Sequence, residues 1–292
     1  MSHRLRSILI TGCSSGIGLA CAQGLLKKGW RVFASARSAE DVERLKDLGL
    51  ADALLLDVAD SESIFSGVQW VLTQTGGNLD AVFNNAGFGV PGAVEDLSRA
   101  AMRYQFETNV FGAIELTNQV LPIFRRQGYG RVVFNSSVLG FAAMPYRGAY
   151  NASKFALEGF ADTLRLELQG SGIFVSLIEP GPIVSRFRAN AAEQFYRWIK
   201  PELSFHLPSY QVMDARLKKA GPVAPFTLPE EAVLEVLLRA LEVKTPAVRY
   251  RVTTPTKVFA FLKRILSSRL LDRVLLAASG DEPGFSYGRK RD

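Results

Sequence analysis

Cysteine and histidine are nearly absent from this 292-residue chain, which has two of each. Cys13 and Cys21 lie close together, one in a glycine-rich turn and one in the helical pattern after it. A disulfide framework does not suit that placement. With only His3 and His206 to add, a zinc site is poorly supplied. No metal is expected, so redox chemistry has to come from an organic cofactor. No apolar run reaches membrane-spanning length. The start, Met1-Ser2-His3-Arg4-Leu5-Arg6, leads straight into strand-like Ile8-Leu9-Ile10. No signal peptide fits before that strand, and a cytoplasmic protein is the default expectation. An excess of one charge sign is also missing from most of the chain. Residues 1–243 carry 24 Lys/Arg and 24 Asp/Glu, while residues 244–292 carry 11 against 4 and hold the whole +7 excess. That distribution argues against a nucleic-acid binder. It also gives the C-terminal segment a surface chemistry of its own.

What is present is an alternation. Short Val/Ile/Leu/Phe-rich runs at 7–11, 31–36, 53–57, 81–84, 131–136 and 174–179 read as strands buried on both faces. Helical patterns lie between them at 16–28, 61–74, 99–108, 110–127 and 150–169. This order predicts an α/β fold, a doubly wound parallel sheet of Rossmann type with helices on both faces. After Pro180-Gly181-Pro182 the pattern turns irregular and rich in aromatics up to 228. A helix resumes at 229–243, and a last strand is expected around 247–252. Residues 256–278 read as two amphipathic helical pieces broken at Ser267-Ser268, because one straight helix would put Arg269 and Arg273 on the apolar face of its first half. In the first piece Val258, Leu262, Ile265 and Leu266 share a face, opposite Lys263 and Arg264. The expected organisation is one catalytic domain over 1–252, with 182–228 as a substrate loop or lid, and a basic helical extension over 253–292, its polar tail from 281 frayed.

Thr11-Gly12-Cys13-Ser14-Ser15-Gly16-Ile17-Gly18 follows the first strand and opens a helix. Glycines there permit a tight turn, a close backbone approach to a pyrophosphate and close helix–strand packing. Free N–H groups at the helix start attract phosphate. An ordinary strand–helix turn is the other reading. Where the second strand ends, an NAD site wants a carboxylate for the ribose 2′-hydroxyl. Here Ala36 and Arg37 stand instead, a guanidinium suited to a 2′-phosphate, with Ser14 able to add a hydrogen bond. NADP(H) is expected over NAD(H), a solvated loop cation being the alternative for Arg37. Asp57 can accept from an adenine amino group or help Asp60-Ser61 cap the next helix. Asn84-Asn85-Ala86-Gly87 ends the fourth strand at the ligand-binding edge, with the role of Asn84 divided between turn and site.

Tyr150 and Lys154, four apart on a helical pattern, project from one face. An ammonium beside a phenol lowers its pKa and lets it exchange a proton with an alcohol or alkoxide. A surface pair is the alternative, and its weight falls because Ser137 lies 13 residues upstream at a strand end, where a hydroxyl can polarise a carbonyl. Asn109 either bends its helix or holds a water that passes protons to Lys154.

With Thr11–Gly18, Asn84–Gly87, Asn109, Ser137, Tyr150-Asn151-Ala152-Ser153-Lys154 and Pro180-Gly181 in order across residues 7 to 190, the chain resembles the short-chain dehydrogenase/reductase superfamily. Within it, the chain is similar to bacterial members related to 17β-hydroxysteroid and retinol dehydrogenases and to NADP-dependent aldehyde reductases with a helical, basic ending. The resemblance implies Tyr150 as general acid/base and Lys154 as ribose anchor and pKa modulator. It implies Ser137 as the carbonyl-orienting hydroxyl and Asn109 as relay support. Cofactor contacts are implied from Gly12, Ser14, Ser15, Gly16, Ile17 and Gly18 in the turn. Further contacts are implied from Arg37, Asp57, Val58, Asn84, Ala86 and Gly87 at the next strand ends, from Tyr150 and Lys154, and from Pro180, Gly181 and the backbone of Ile183. The expected function is an NADP(H)-dependent oxidoreductase interconverting an apolar aldehyde or ketone and its alcohol. A non-catalytic NADP(H)-binding scaffold or sensor is the alternative. A homodimer or homotetramer through the 110–127 and 150–169 helices is expected. The basic C-terminal pieces either cap the pocket, pack in a dimer or touch an anionic membrane surface.

Overall fold

The computed structural model describes residues 5–219, 221 and 224–279. The polar tail expected from 281 lies outside them. Seven strands, β1 (Ser7–Ile10), β2 (Arg31–Ala36), β3 (Leu54–Leu55), β4 (Ala81–Asn84), β5 (Gly130–Asn135), β6 (Ile173–Glu179) and β7 (Arg249–Arg251), form one sheet in the order β3-β2-β1-β4-β5-β6-β7. Every pairing is parallel, for example Ile8 beside Val32 on one side and Ala81 on the other. The strand order reverses between β1 and β4, and a crevice opens there at the carboxyl edge of the sheet, where such folds bind ligands.

Side chains along each strand alternate between two cores. Ile8, Ile10, Val32 and Phe83 point to one face and meet Cys21, Ala22 and Leu25 of α1 (Gly16–Lys27), Val42 and Leu45 of α2 (Ala39–Asp47) and Val233 and Leu237 of α9 (Glu231–Glu242). Leu9, Phe33, Val82 and Phe134 point the other way, onto Ile64 and Val68 of α3 (Ser61–Thr75), Leu116 and Val120 of α5 (Ala113–Gln127) and Leu157 and Ala161 of α6 (Gly148–Glu167). Burial on both faces explains why the strands read as continuous apolar runs. Capping sets local boundaries. Asp60 accepts from the N–H groups of Glu62 and Ser63 to start α3, and Gly76, with φ at 64°, ends it in the left-handed region.

Three features differ from the sequence reading. The α2 helix was not expected, because only Val42 and Leu45 of its nine residues reach the core. Next, α4 (Arg99–Phe106) runs into α5 without a gap, through a π-helical turn over Glu107–Gly112 that carries Asn109. Gly112 lies so close to the Val58 carbonyl that an added Cβ would stand 1.9 Å from its oxygen. In the 182–228 segment, α7 (Phe187–Trp198) and α8 (Leu207–Lys218) are full helices, and Phe195, Tyr210 and Met213 pack with Tyr146 into a small core of their own.

The C-terminal helices α10 (Thr254–Ile265) and α11 (Ser268–Ala278) break where expected. The rotation of α10 leaves the face of Val258, Leu262, Ile265 and Leu266 partly outward, with Leu262 and Leu266 half-buried. Val258 and Ile265 are 46% and 59% exposed, whereas Thr256 and Ala260 are buried. The reason is close packing at its start: a Cβ on Gly181 would meet Thr253 Oγ1 at 2.1 Å and Thr256 Oγ1 at 2.7 Å. The two short threonines therefore turn inward and carry the larger apolar residues out.

Candidate active site

The glycine-rich turn sits at the β1–α1 junction, on the crevice. Gly12 and Gly16 hold φ at 72° and 59°, a region costly for any residue with a Cβ. A Cβ on Gly18 would stand 2.3 Å from the Gly12 carbonyl oxygen, so only glycine lets α1 press on the turn. Ser15 begins α1 without a side-chain cap, and its first-turn N–H groups receive no acceptor from it. The cradle therefore fits a pyrophosphate. Ser14 and Ser15 are half-buried in it, and Ile17 packs back against the core. A Cβ on Gly16 would come within 3.3 Å of Ser185 Cβ, so the turn faces the run that contains Ile183. That run bridges to Leu228 through the carbonyl of Pro182 and the N–H of Val184, which leaves the N–H and C=O of Ile183 on the opposite edge.

Arg37 is exposed at the end of β2 and makes no ion pair among the described residues. Arg44 of α2 was missed by the sequence reading. Its guanidinium donates to the Ser14 carbonyl oxygen at 2.6 Å and pairs with Asp41, placing a second cation beside the turn. Asp57 Oδ1 accepts from the N–H of Ala59 at 2.9 Å, and Asp60 alone caps α3, so the turn after β3 is held mainly by its own side chain. Val58 is buried against the π-helical turn.

The two asparagines that end β4 divide the work. Asn84 turns away from the crevice and donates to Thr117 Oγ1 of α5 at 2.9 Å. Asn85 faces it, donating to the carbonyls of Thr11 and Gly12 and accepting from Asn135 Nδ2 at 2.8 Å. Thr11 Oγ1 in turn accepts from the N–H groups of Asn85 and Ala86, each at 3.0 Å. Lys154 Nζ donates to the Asn135 carbonyl at 2.6 Å. A continuous chain of hydrogen bonds thus runs from Lys154 through Asn135 and Asn85 to the glycine-rich turn. Asn85 was read only as part of the Asn84–Gly87 run and Asn135 only within the 131–136 strand, although asparagine at the ends of two neighbouring strands was a usable signal.

Asn109 is buried on the π-helical turn. Its Oδ1 accepts from the N–H of Phe88 at 3.1 Å, and its Nδ2 donates to the Phe88 carbonyl and to Ser153 Oγ. Its side chain is thereby tied to the Phe88 backbone and to Ser153 within the π-helical turn. A Cβ on Gly87 would lie 3.2 Å from Asn109 Oδ1 and 3.7 Å from Lys154 Nζ, so these three residues meet.

Ser137 follows β5 and starts a short 3-10 turn, its Oγ accepting from the N–H of Leu139 at 3.1 Å. Its hydroxyl lies near that of Tyr150 and favours the phenolate. Burial pushes the Tyr150 hydroxyl up to about 12, with the Ser137 contact acting the other way. The lowered phenol expected from Lys154 is therefore not present in the protein alone. Lys154, 4% exposed, is itself brought down to about 8 by burial, with the nearby Glu158 carboxylate opposing that fall. Glu158 is gripped by Arg249 of β7 at 3.0 Å. Over Tyr150 lies Phe187, edge-on at 5.2 Å between ring centres. Tyr150, Phe141, Met144, Phe259 and Leu271 all pack against a buried cluster of Val138, Leu139, Ala142 and Leu275, which brings α10 and α11 to this side of the site. Tyr146, at the base of this segment, holds a left-handed φ of 58° and is pinned by Ser209 of α8 at 2.9 Å.

Comparison with known proteins agrees with this geometry. The short chain dehydrogenase family profile matches residues 6–195. An uncharacterized oxidoreductase, YbbO, of Escherichia coli is 42% identical over 270 residues, 92% of this chain and 94% of the relative. Human retinol dehydrogenase 8 is 41% identical over 203 residues, 66% of this chain and 64% of the relative. Among solved structures, a short chain dehydrogenase/reductase of Burkholderia phymatum in complex with NAD superposes with a TM-score of 0.75 at 22% identity, covering 95% of this chain and 98% of that one. Other solved chains of this fold hold NADP. The chain belongs to the short-chain dehydrogenase/reductase family, a family of oxidoreductases.

Proposed function

We propose that this protein reduces an apolar aldehyde or ketone to its alcohol, and catalyses the reverse, with NADP(H) as cofactor. The observation that carries the reading is the hydrogen-bond chain linking Lys154 to the glycine-rich turn beside Ser137 and Tyr150, with apolar side chains packed over the phenol. Gly12, Gly16 and Gly18 would admit the pyrophosphate, Arg37 the 2′-phosphate, and Lys154 the nicotinamide ribose. When bound, the cofactor supplies or takes the hydride at the carbonyl carbon. Ser137 donates a hydrogen bond to the carbonyl oxygen, and Tyr150 gives its phenolic proton as charge develops there. Lys154 favours the phenolate left behind. Phe187, Phe141 and Leu275 exclude water, and α7 and α8 form the substrate-side cover. Exposed Phe111, Phe155, Phe160 and Leu166 along the α5–α6 face support a homo-oligomer through those helices.

The reading is tested by following nicotinamide absorbance with NADPH over a panel of apolar aldehydes and ketones. Turnover is the expected result. Tight NADPH binding with no turnover on any of them would point instead to a scaffold.

Two further outcomes follow. Arg37→Asp removes a charge-assisted phosphate contact and adds repulsion. The ratio of kcat/KM with NADPH to that with NADH is expected to drop roughly 10- to 100-fold. An unchanged ratio would remove Arg37 from the site. In the pH profile of reduction, the Lys154 ammonium is intact below its value of about 8 and is lost above it. Therefore kcat/KM is expected to hold through neutral pH and fall above about 8, while Tyr150, up at about 12, stays protonated as the acid. Glu158→Gln withdraws the charge that supports the ammonium, and the fall should move to lower pH. A profile flat through pH 10, or one that Glu158→Gln leaves in place, speaks against this electrostatic coupling.

A further inference from the structure

The outward face of α10 has no partner among the described residues. Phe261 and Ile265 are 62% and 59% exposed, and Val258 joins them on the same side of the helix. At 100° per residue these three fall within a narrow arc, with Lys257 and Arg264 along one edge of it. Lys257 also lines a groove of about 330 Å³ between α9, β7 and α10, where it stands with Arg239, Arg249 and Arg251. No acidic side chain lines that groove. Arg249 and Arg251 are paired from behind by Glu179, and Arg249 also by Glu158 and Asp162. Arg239 and Lys257 form no ion pair among the described residues, Arg239 resting over the Tyr250 ring instead. An apolar stripe thus adjoins a cationic groove, and Lys257 belongs to both.

We propose that this face docks on an anionic phospholipid surface. The chemistry of the two parts matches the two layers of a bilayer interface. Val258, Phe261 and Ile265 would enter the acyl boundary, while Lys257, Arg264 and the groove take headgroup phosphates. No helix among the described residues is long and apolar enough to cross a membrane, so the contact is peripheral. A second copy of the chain suits the face less well, since self-association would bring Lys257, Arg264 and the groove cations against their own kind. The inference does not depend on the reaction proposed above.

The test is sedimentation of the full chain with phosphatidylcholine vesicles, with and without phosphatidylglycerol, at low and high salt. Binding is expected only to the anionic vesicles, weakening as salt rises. Lys257→Gln/Arg264→Gln should lower the partition about 25-fold, on the order of fivefold per cation lost. Phe261→Ser/Ile265→Ser should lower it as well and leave a weaker, more salt-sensitive residue of binding. Thermal unfolding and turnover of a water-soluble carbonyl are expected to stay unchanged in both variants, since none of these side chains touches the site. No binding by the parent chain, equal binding to neutral vesicles, or variants that bind like the parent would overturn the proposal. So would sedimentation-velocity profiles in which the variants dissociate an oligomer, which would make the face a contact between copies.

Discussion

Tyr150→Phe is expected to reduce turnover by about 10²- to 10⁴-fold, the range over which a positioned general acid contributes. The substitution removes one oxygen and little else. Phenylalanine keeps the edge contact with Phe187 and the packing against the cluster of Val138, Leu139, Ala142 and Leu275, so the fold should hold. The cost is chemical, because the oxygen of the developing alkoxide loses its proton source. Ser137 remains as a hydrogen-bond donor, but a serine hydroxyl is far too weak an acid to replace the phenol. NADPH affinity should change little, since the glycine-rich turn and Arg37 are untouched, and fluorescence titration checks this in the same sample. Turnover equal to that of the parent would remove Tyr150 from the chemistry. Loss of turnover together with loss of folding would be visible in the thermal unfolding curve and would call for Tyr150→Trp as a second substitution.

Gly18→Ala should have the next largest effect. The added methyl would meet the Gly12 carbonyl oxygen at 2.3 Å and Asn85 Nδ2 at 2.5 Å. One is backbone and the other is held by the Thr11 carbonyl and by that same Gly12 carbonyl, so neither can swing aside. Overpacking of this kind costs about 1–3 kcal/mol, which for a domain of this size lowers Tm by several degrees. The larger consequence is local. To relieve the contact, α1 must move off the turn, carrying its first-turn N–H groups out of line with the pyrophosphate. NADPH affinity should therefore fall tenfold or more, a tenfold change corresponding to about 1.4 kcal/mol. Because Asn85 leads through Asn135 to Lys154, turnover at saturating NADPH should also drop. Calorimetric titration and saturation kinetics measure the two separately. An affinity equal to that of the parent would mean that the phosphates do not bind at this turn.

Parts of this picture were readable in advance. The strands over 31–36 and 81–84 were placed with their observed ends, because buried parallel strands announce themselves as β-branched and aromatic runs. The break before Ser268 was readable from a change of helical phase. The α2 helix was not, since Val42 and Leu45 give too little periodicity to stand out. Aromatics between 182 and 228 were read as part of a substrate loop or lid. Phe195 and Tyr210 proved to be core, while Phe187 reached the phenol. Composition cannot separate such residues, because burial of an aromatic satisfies the same physics in either place.

Local residue chemistry alone set the glycine-rich turn, the Tyr150–Lys154 spacing and the cation after β2, because backbone conformation and helical pitch depend on neighbours a few positions away. Contacts between distant segments were decided only in three dimensions. Which asparagine of β4 faces the crevice depends on how that strand turns between Thr117 and Thr11. Whether Lys154 reaches Asn135 depends on where α6 crosses the sheet. The outward side of α10 follows from two threonines pressed on Gly181, 72 residues before Thr253 in the chain. The pKa of Tyr150 belongs to the same class. Its neighbours in sequence suggested a lowered value, and burial under Phe187 and the C-terminal helices raised it, because desolvation is a property of everything packed around a group.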